Sequence, residues 1–107
     1  SGFIDRMLID VRDEPIPLYT LSYVLYEQDN CSINELKEFI KNDEISIVIL
    51  NIKGIKIAVC VEKFLHIEEF VLKRLPKSIE SNKLLMGATI DYEGNVVLVL
   101  NPEYFRL

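Results

Sequence analysis

Along the chain, long apolar runs alternate with short polar clusters, and the clearest case is MGATIDYEGNVVLVLN at residues 86–101. Apolar, partly β-branched residues stand on both sides of one polar cluster, which favours strands. Asp91 to Asn95 supplies turn formers, and Gly94 can take a positive φ. The pattern predicts a β-hairpin whose second arm is a nearly continuous core strand. A second pair follows the same logic. ISIVILNI at 45–52 is densely β-branched, Lys53-Gly54 reads as a turn, and IKIAVCV at 55–61 returns. Ile55, Ile57, Val59 and Val61 share one face by the period of two, while Ala58 and Cys60 make the other partly apolar. A strand apolar on both faces belongs between layers, at a barrel closure or against a partner.

The remaining segments are shorter. DRMLIDVR at 5–12 suits a strand. Pro17 offers no N–H to a ladder, so IPLYTL at 16–21 is expected to be a turn plus a short extended piece. Thr20 or Ser22 can cap a short helix covering Leu21, Val24 and Leu25. EQDNCSIN at 27–34 reads as a loop, and Ser32 with Glu35 matches a capping box. EKFLHIEEFVLKRL at 62–75 fits two templates. Phe64, Leu65, Ile67, Phe70, Val71 and Leu75 form a partial helical stripe, yet the same run can be extended. Local propensity alone favours the helix, and Pro76 ends either element. Asn101-Pro102 opens a final short turn or helix. The sum is about five strands with short helices, a small barrel or a compact α+β domain.

A length of 107 residues, half of them hydrophobic, suits one domain with a real core. The net charge of -5 argues against a nucleic-acid binder and against an anionic membrane surface. No run is long enough to span a bilayer, and no apolar leader pattern is visible, so a cytoplasmic chain without direct membrane insertion is expected. Cys31 and Cys60 make no disulfide framework and are expected to be reduced thiols.

Candidate chemistry is sparse. His66 is the sole histidine, and a boundary or surface role outweighs a general base or phosphoacceptor. No metal or cofactor set is spelled out: a second histidine is lacking, and the two cysteines have no ligand spacing. Glu68 and Glu69, as neighbours, diverge and make a poor acid–base pair. Asp10, Asp13 and Glu14 read as a solvated edge. Lys53-Gly54 is no phosphate loop, and no serine sits in a nucleophile elbow. Gly54 and Gly94 are structural turn positions, and Gly87 fits a close backbone approach or a bulge. Lys73, Arg74 and Lys77 form a compact basic patch, either a solvated face or a guide for an acidic partner.

With these residues in view, the chain resembles the CheW-like domain family, most closely the C-terminal regulatory domain of the chemotaxis histidine kinase CheA. The resemblance rests on MGATIDYEGNVVLVLN at 86–101, with Asn101 where the family usually has Asp. IKIAVCVEKFLHIEEFVLKRLP at 55–76 is similar to the family's central stretch, with Lys73-Arg74-Leu75 in place of Lys-Pro-Leu. IDVRDEPIPLYTLSYVL at 9–25 is similar to its strand, turn and short helix, although Asp13-Glu14 replaces a Gly-containing turn. The resemblance covers residues 1–107 as one regulatory domain. It implies a mainly β fold of two small SH3-like β-barrel subdomains with short helices. It also implies strands joined by a bend across 55–75. The family module normally begins with further strands, so one barrel is expected to be incomplete, through truncation, divergence or a strand-swapped dimer.

The implied function is non-catalytic docking of a CheW-like adaptor and chemoreceptor cytoplasmic tips, within receptor arrays at the inner membrane. Autophosphorylation then belongs to other domains, and no cofactor is involved. Leu18, Tyr19 and Leu21 are interface candidates, with core the commoner role for Leu18 and Leu21. A free CheW-type adaptor, or an SH3-like structural or homodimerisation domain, are the alternatives. A small hydrolase would need clustered carboxylates or a buried Ser/His pair, and a polar pocket converging on His66 would revive that reading.

Overall fold

The computed structural model describes residues 7–26 and 33–107. The chain divides into two compact units, residues Ser1–Leu65 with Arg106–Leu107, and residues His66–Phe105. The loop expected at 27–34 lies mostly outside the described residues, as do Cys31 and the Ser32 end of the capping box.

The first unit is built on hairpins. Strands β1 (Met7–Val11) and β2 (Glu14–Tyr19) pair antiparallel. Helix α1 (Leu21–Tyr26) and the single turn α2 (Ile33–Lys37) follow. The short strands β3 (Ile40–Lys41) and β4 (Glu44–Ile45) form a small ribbon, and β5 (Ile47–Ile52) pairs antiparallel with β6 (Ile55–Cys60). Each of these hairpins turns through two residues of positive φ: Arg12-Asp13, Asn42-Asp43 and Lys53-Gly54. This is the geometry whose twist matches that of the flanking strands.

The larger sheet has the order β1-β2-β6-β5, with β2 and β6 parallel. Pro15 and Pro17 are part of the continuous strand β2, where a turn plus a short extended piece is expected from the sequence. They stand opposite Asp10 and Leu8, alternate positions of the β1–β2 ladder. A proline fits only pairs that exchange no N–H bond with that neighbour. Its missing donor then faces β6, and pairing with β6 is confined to Leu18↔Ala58 and Tyr19↔Val59, beyond the prolines.

The core of this unit follows from the central place of β6. Ile57, Ala58, Val59 and Cys60 are buried in succession, so both faces of the strand are covered. Among the described residues, Ile16, Leu18, Tyr19, Val24 and Leu36 complete the buried apolar set of this unit. Thr20 caps α1, its Oγ1 accepting from the Tyr23 N–H at 3.3 Å. Tyr19 stacks on Tyr23 with ring centroids 5.1 Å apart. Arg106 N–H donates to the Val24 carbonyl at 2.7 Å and ties the end of the chain to α1.

The second unit is a ribbon of β7 (Leu85–Ile90) and β8 (Val96–Leu100). Its turn is fastened by Asp91 Oδ1, which accepts from the Glu93 N–H at 2.9 Å and the Asn95 N–H at 2.8 Å, and Gly94 takes a φ of 84°. A bulge at Met86 lies between the Leu85↔Leu100 and Gly87↔Val99 pairs. Asn101 caps the closing 3-10 turn Pro102–Tyr104, its side chain accepting from the Glu103 N–H.

Three expectations are corrected. Among the described residues no sheet closes into a barrel: the four-stranded sheet ends on β1 and β5, and the other two sheets have two strands each. The fold is mostly β with several open sheets, not a pair of SH3-like barrels, because closure requires the outermost strands to pair with each other. The stretch 62–75 is neither the helix favoured by propensity nor a pair of strands. It is irregular apart from a bridge between Lys73 and Ala88. Finally, β8 is not a core strand: Val96, Val97 and Leu98 are 66%, 40% and 46% exposed.

Candidate functional site

The second unit carries an unusual amount of apolar surface. Ile67, Phe70, Val71, Leu72, Met86, Ile90 and Tyr92 are exposed alongside the three β8 residues. Patches of this kind mark interaction sites in folded proteins. The backbone explains how they come together. Lys73 N–H donates to the Ala88 carbonyl at 2.7 Å, and Ala88 N–H donates to the Lys73 carbonyl at 3.0 Å. This exchange lays residues 68–73 along β7. Gly87 makes it possible, since a Cβ there would meet both Leu72 and the Lys73 carbonyl.

A groove runs between the two segments. Glu68, Glu69, Phe70, Val71 and Lys73 line one side, and Thr89, Ile90, Asp91 and Tyr92 the other. Its walls are apolar in the middle and acidic at the turn end. Glu68 organises that end. Its Oε1 accepts from His66 Nε2 at 2.7 Å, and its carboxylate accepts from the Tyr92 hydroxyl. His66 also stacks on Tyr92, with centroids 6.5 Å apart. Hydrogen bonding to Glu68, and then its negative charge, push the Tyr92 hydroxyl above the ordinary tyrosine value of 10.0. The backbone bond from Asn95, ahead of the other turn bonds, holds the Asp91 carboxyl below 3.8.

The His66–Glu68–Tyr92 cluster is an arrangement that the sequence alone did not bring together. In an extended chain His66 and Glu68 share a face, which was a usable signal. Tyr92 joins them only through the β7 pairing. The groove lining contains neither serine nor cysteine. Among the described residues, no group of His, Cys, Asp and Glu is arranged to hold a metal.

A model of the CheW-like domain matches residues 4–105. The chain belongs to the CheW-like domain family. CheW-like domains are non-catalytic adaptor modules that mediate protein–protein contacts with chemotaxis components, and this chain is accordingly an interaction domain and not an enzyme.

Within this CheW-like chain the sequence-nominated positions are scattered. Leu18 and Tyr19 lie in β2 at 8% and 6% exposure, and Leu21 opens α1 half-buried. Gly54 sits in the β5–β6 turn at a φ of 86°, Gly94 in the β7–β8 turn, and Gly87 beside the bulge under Lys73. Lys73, Arg74 and Lys77 are all exposed, with Lys73 on the groove wall. Cys60 is buried in β6. No helix among the described residues is long and apolar enough to cross a membrane.

Proposed function

We propose that this chain is the regulatory domain of a chemotaxis sensor histidine kinase, docking the coupling adaptor and chemoreceptor tips so that contact controls autophosphorylation carried out by other domains. The observation that carries the docking role is the exposed apolar groove of the second unit, with Phe70, Val71 and Ile90 between Glu68 and Lys73. Apolar centre and charged rim is the anatomy of a protein interface. The choice of the kinase domain over a free adaptor is supported by the Gly87-Ala88-Thr89-Ile90 form of the hairpin. Coupling then works as a difference in contact free energy between arrangements of the assembly. Of the three nominated positions in the first unit, Leu21 retains side-chain surface to offer a partner. The proposed setting is a receptor array at the inner membrane.

The test is a calorimetric titration of the chain against the chemotaxis adaptor of the same cell, with Phe70→Ser and Val71→Ser as variants. Saturable one-to-one binding that both variants weaken about tenfold or more supports docking through the groove. Binding unchanged by both moves the docking surface elsewhere. No binding by the folded wild type removes the proposal.

A further inference from the structure

The groove of the second unit opens where a ladder stops. Ala88 exchanges both of its backbone bonds with Lys73, and among the described residues that bridge is isolated. In an antiparallel strand a residue's N–H and C=O point to the same side, and sides alternate along the chain. Ile90 therefore presents its N–H and C=O to the same side as Ala88. The turn agrees: Asp91 N–H donates to the Asn95 carbonyl at 3.0 Å, so Asp91 faces β8 and Ile90 faces away from it. Among the described residues no backbone bond joins 68–71 to Ile90. The space between them is a groove of about 450 Å³, a size that takes a ligand. An N–H and C=O left side by side on a strand are the groups that an added extended segment takes up.

The walls set the chemistry of such a segment. Phe70, Val71 and Ile90 are exposed there and suit an apolar side chain. Glu68, Glu69 and Asp91 face only Lys73 as a cation on the lining, which leaves it negative. Two of these carboxylates are committed within the chain. Glu68 accepts from His66 and Tyr92, and Asp91 from the Glu93 and Asn95 amides. Glu69 is exposed and makes no ion pair among the described residues. Tyr92 is 88% exposed, yet its bond to Glu68 and its stacking on His66 hold the ring as a fixed wall. A fixed aromatic ring and an unpaired carboxylate on one groove suit a guanidinium, which can stack and pair at once.

We infer that the groove takes an extended segment of the docking partner that carries an apolar side chain beside Ile90 and an arginine two positions away, at the end of Glu69 and Tyr92. The inference rests on the groove being the docking surface proposed above, and adds the chemistry of what enters it. The backbone of the segment pairs with the N–H and C=O of Ile90, and its apolar side chain lies against Phe70 and Val71. Side chains two apart on an extended chain share a face and stand about 7 Å from each other. Tyr92 is itself two residues on from Ile90, so the second side chain of the segment is carried toward it. Glu69 then receives the guanidinium without giving up an ion pair of its own. A segment with a carboxylate at that position would set it against Glu68, Glu69 and Asp91, and is rejected.

Two blocked peptides test it, acetyl-Thr-Arg-Thr-Leu-Thr-Arg-Thr-amide and the same peptide with glutamate in place of both arginines. The first offers an arginine to Glu69 in either chain direction. Each is titrated into the isotope-labelled whole chain and followed by nuclear magnetic resonance. The arginine peptide is expected to shift the Ile90 and Tyr92 amides saturably, and the glutamate peptide to bind about tenfold more weakly or worse. Glu69→Lys is expected to abolish that preference. Glu80→Lys makes the same charge change at an exposed position outside the groove lining, and is expected to keep it. An arginine peptide that leaves Ile90 unshifted overturns the inference. So does equal binding of the two peptides, or a Glu69 variant that behaves as the Glu80 variant does. Adaptor titration reads the docking role separately. An adaptor that fails to bind a chain which selects the arginine peptide removes the docking role and leaves the selectivity of the groove. An adaptor whose binding Phe70→Ser weakens, on a chain that takes both peptides alike, leaves docking and removes this inference.

Discussion

A Cβ on Gly87 would lie 2.7 Å from the carbonyl oxygen of Lys73 and 2.8 Å from the Leu72 side chain. The first of these is a backbone atom engaged with Ala88, so it cannot step aside without loss of that bond. Gly87→Ala is expected to detach residues 68–73 from β7 and to cost about 1–3 kcal/mol. Urea unfolding measures the loss, and amide exchange at Lys73 and Ala88 locates it. Unchanged protection at both amides would contradict this account.

Tyr92 reports on the cluster. Its value in the folded chain is raised above 10.0, so the bond to Glu68 contributes to stability fully below pH 10.0 and is lost as pH rises through the folded value. Ultraviolet titration is expected to show one tyrosine ionising late. Glu68→Gln removes the negative charge and is expected to bring that tyrosine back toward 10.0. Identical curves for the two proteins would remove Glu68 as the cause.

Asp91 acts in the opposite pH range. Its carboxyl is held below 3.8 by the turn amides, so its contribution is present above 3.8 and fades as pH falls through the lower folded value. Asp91→Ala is expected to lower the melting temperature at neutral pH and to flatten the acid limb of stability. Asp91→Asn, which keeps an acceptor, is expected to fall between them. Thermal melts from pH 2 to pH 7 make the comparison.

In the first unit, Thr20→Ala removes the acceptor for the Tyr23 N–H and is expected to cost about 1 kcal/mol, with Thr20→Ser nearly neutral. Ile57→Ala empties a position that is 2% exposed, and a loss of about 2–5 kcal/mol is expected. Urea denaturation ranks the two, and an Ile57 variant no weaker than the cap variant would contradict the central role of β6.

What was legible in the sequence was local. The hairpin around Asp91–Asn95, the β5–β6 pair and the Thr20 cap each depend on neighbours a few residues apart, and the structure forms all three. What was not legible depends on distant pairing. Pro17 demotes a strand by local rules, yet the register opposite Leu8 gives it a position with no bond to lose. The run Val96–Leu100 looks like core because it is apolar, but burial needs a covering layer, and composition does not provide one. The segment 62–75 has helical spacing and still forms no helix, since Lys73 takes its backbone partner from Ala88. The expected barrels failed for the same reason: closure is a property of strand order, which no window of sequence contains.

The two-residue turns of the first unit also set a timetable for its formation. Arg12-Asp13, Asn42-Asp43 and Lys53-Gly54 each join strands adjacent in the chain. Hairpins of this size form in about 1–10 μs. The parallel seam of Leu18 with Ala58 and Tyr19 with Val59 must instead close the whole intervening loop, with the two prolines limiting it to that short register. The hairpins are ready-made pieces, and the union of β2 with β6 is the slow event that turns them into one sheet.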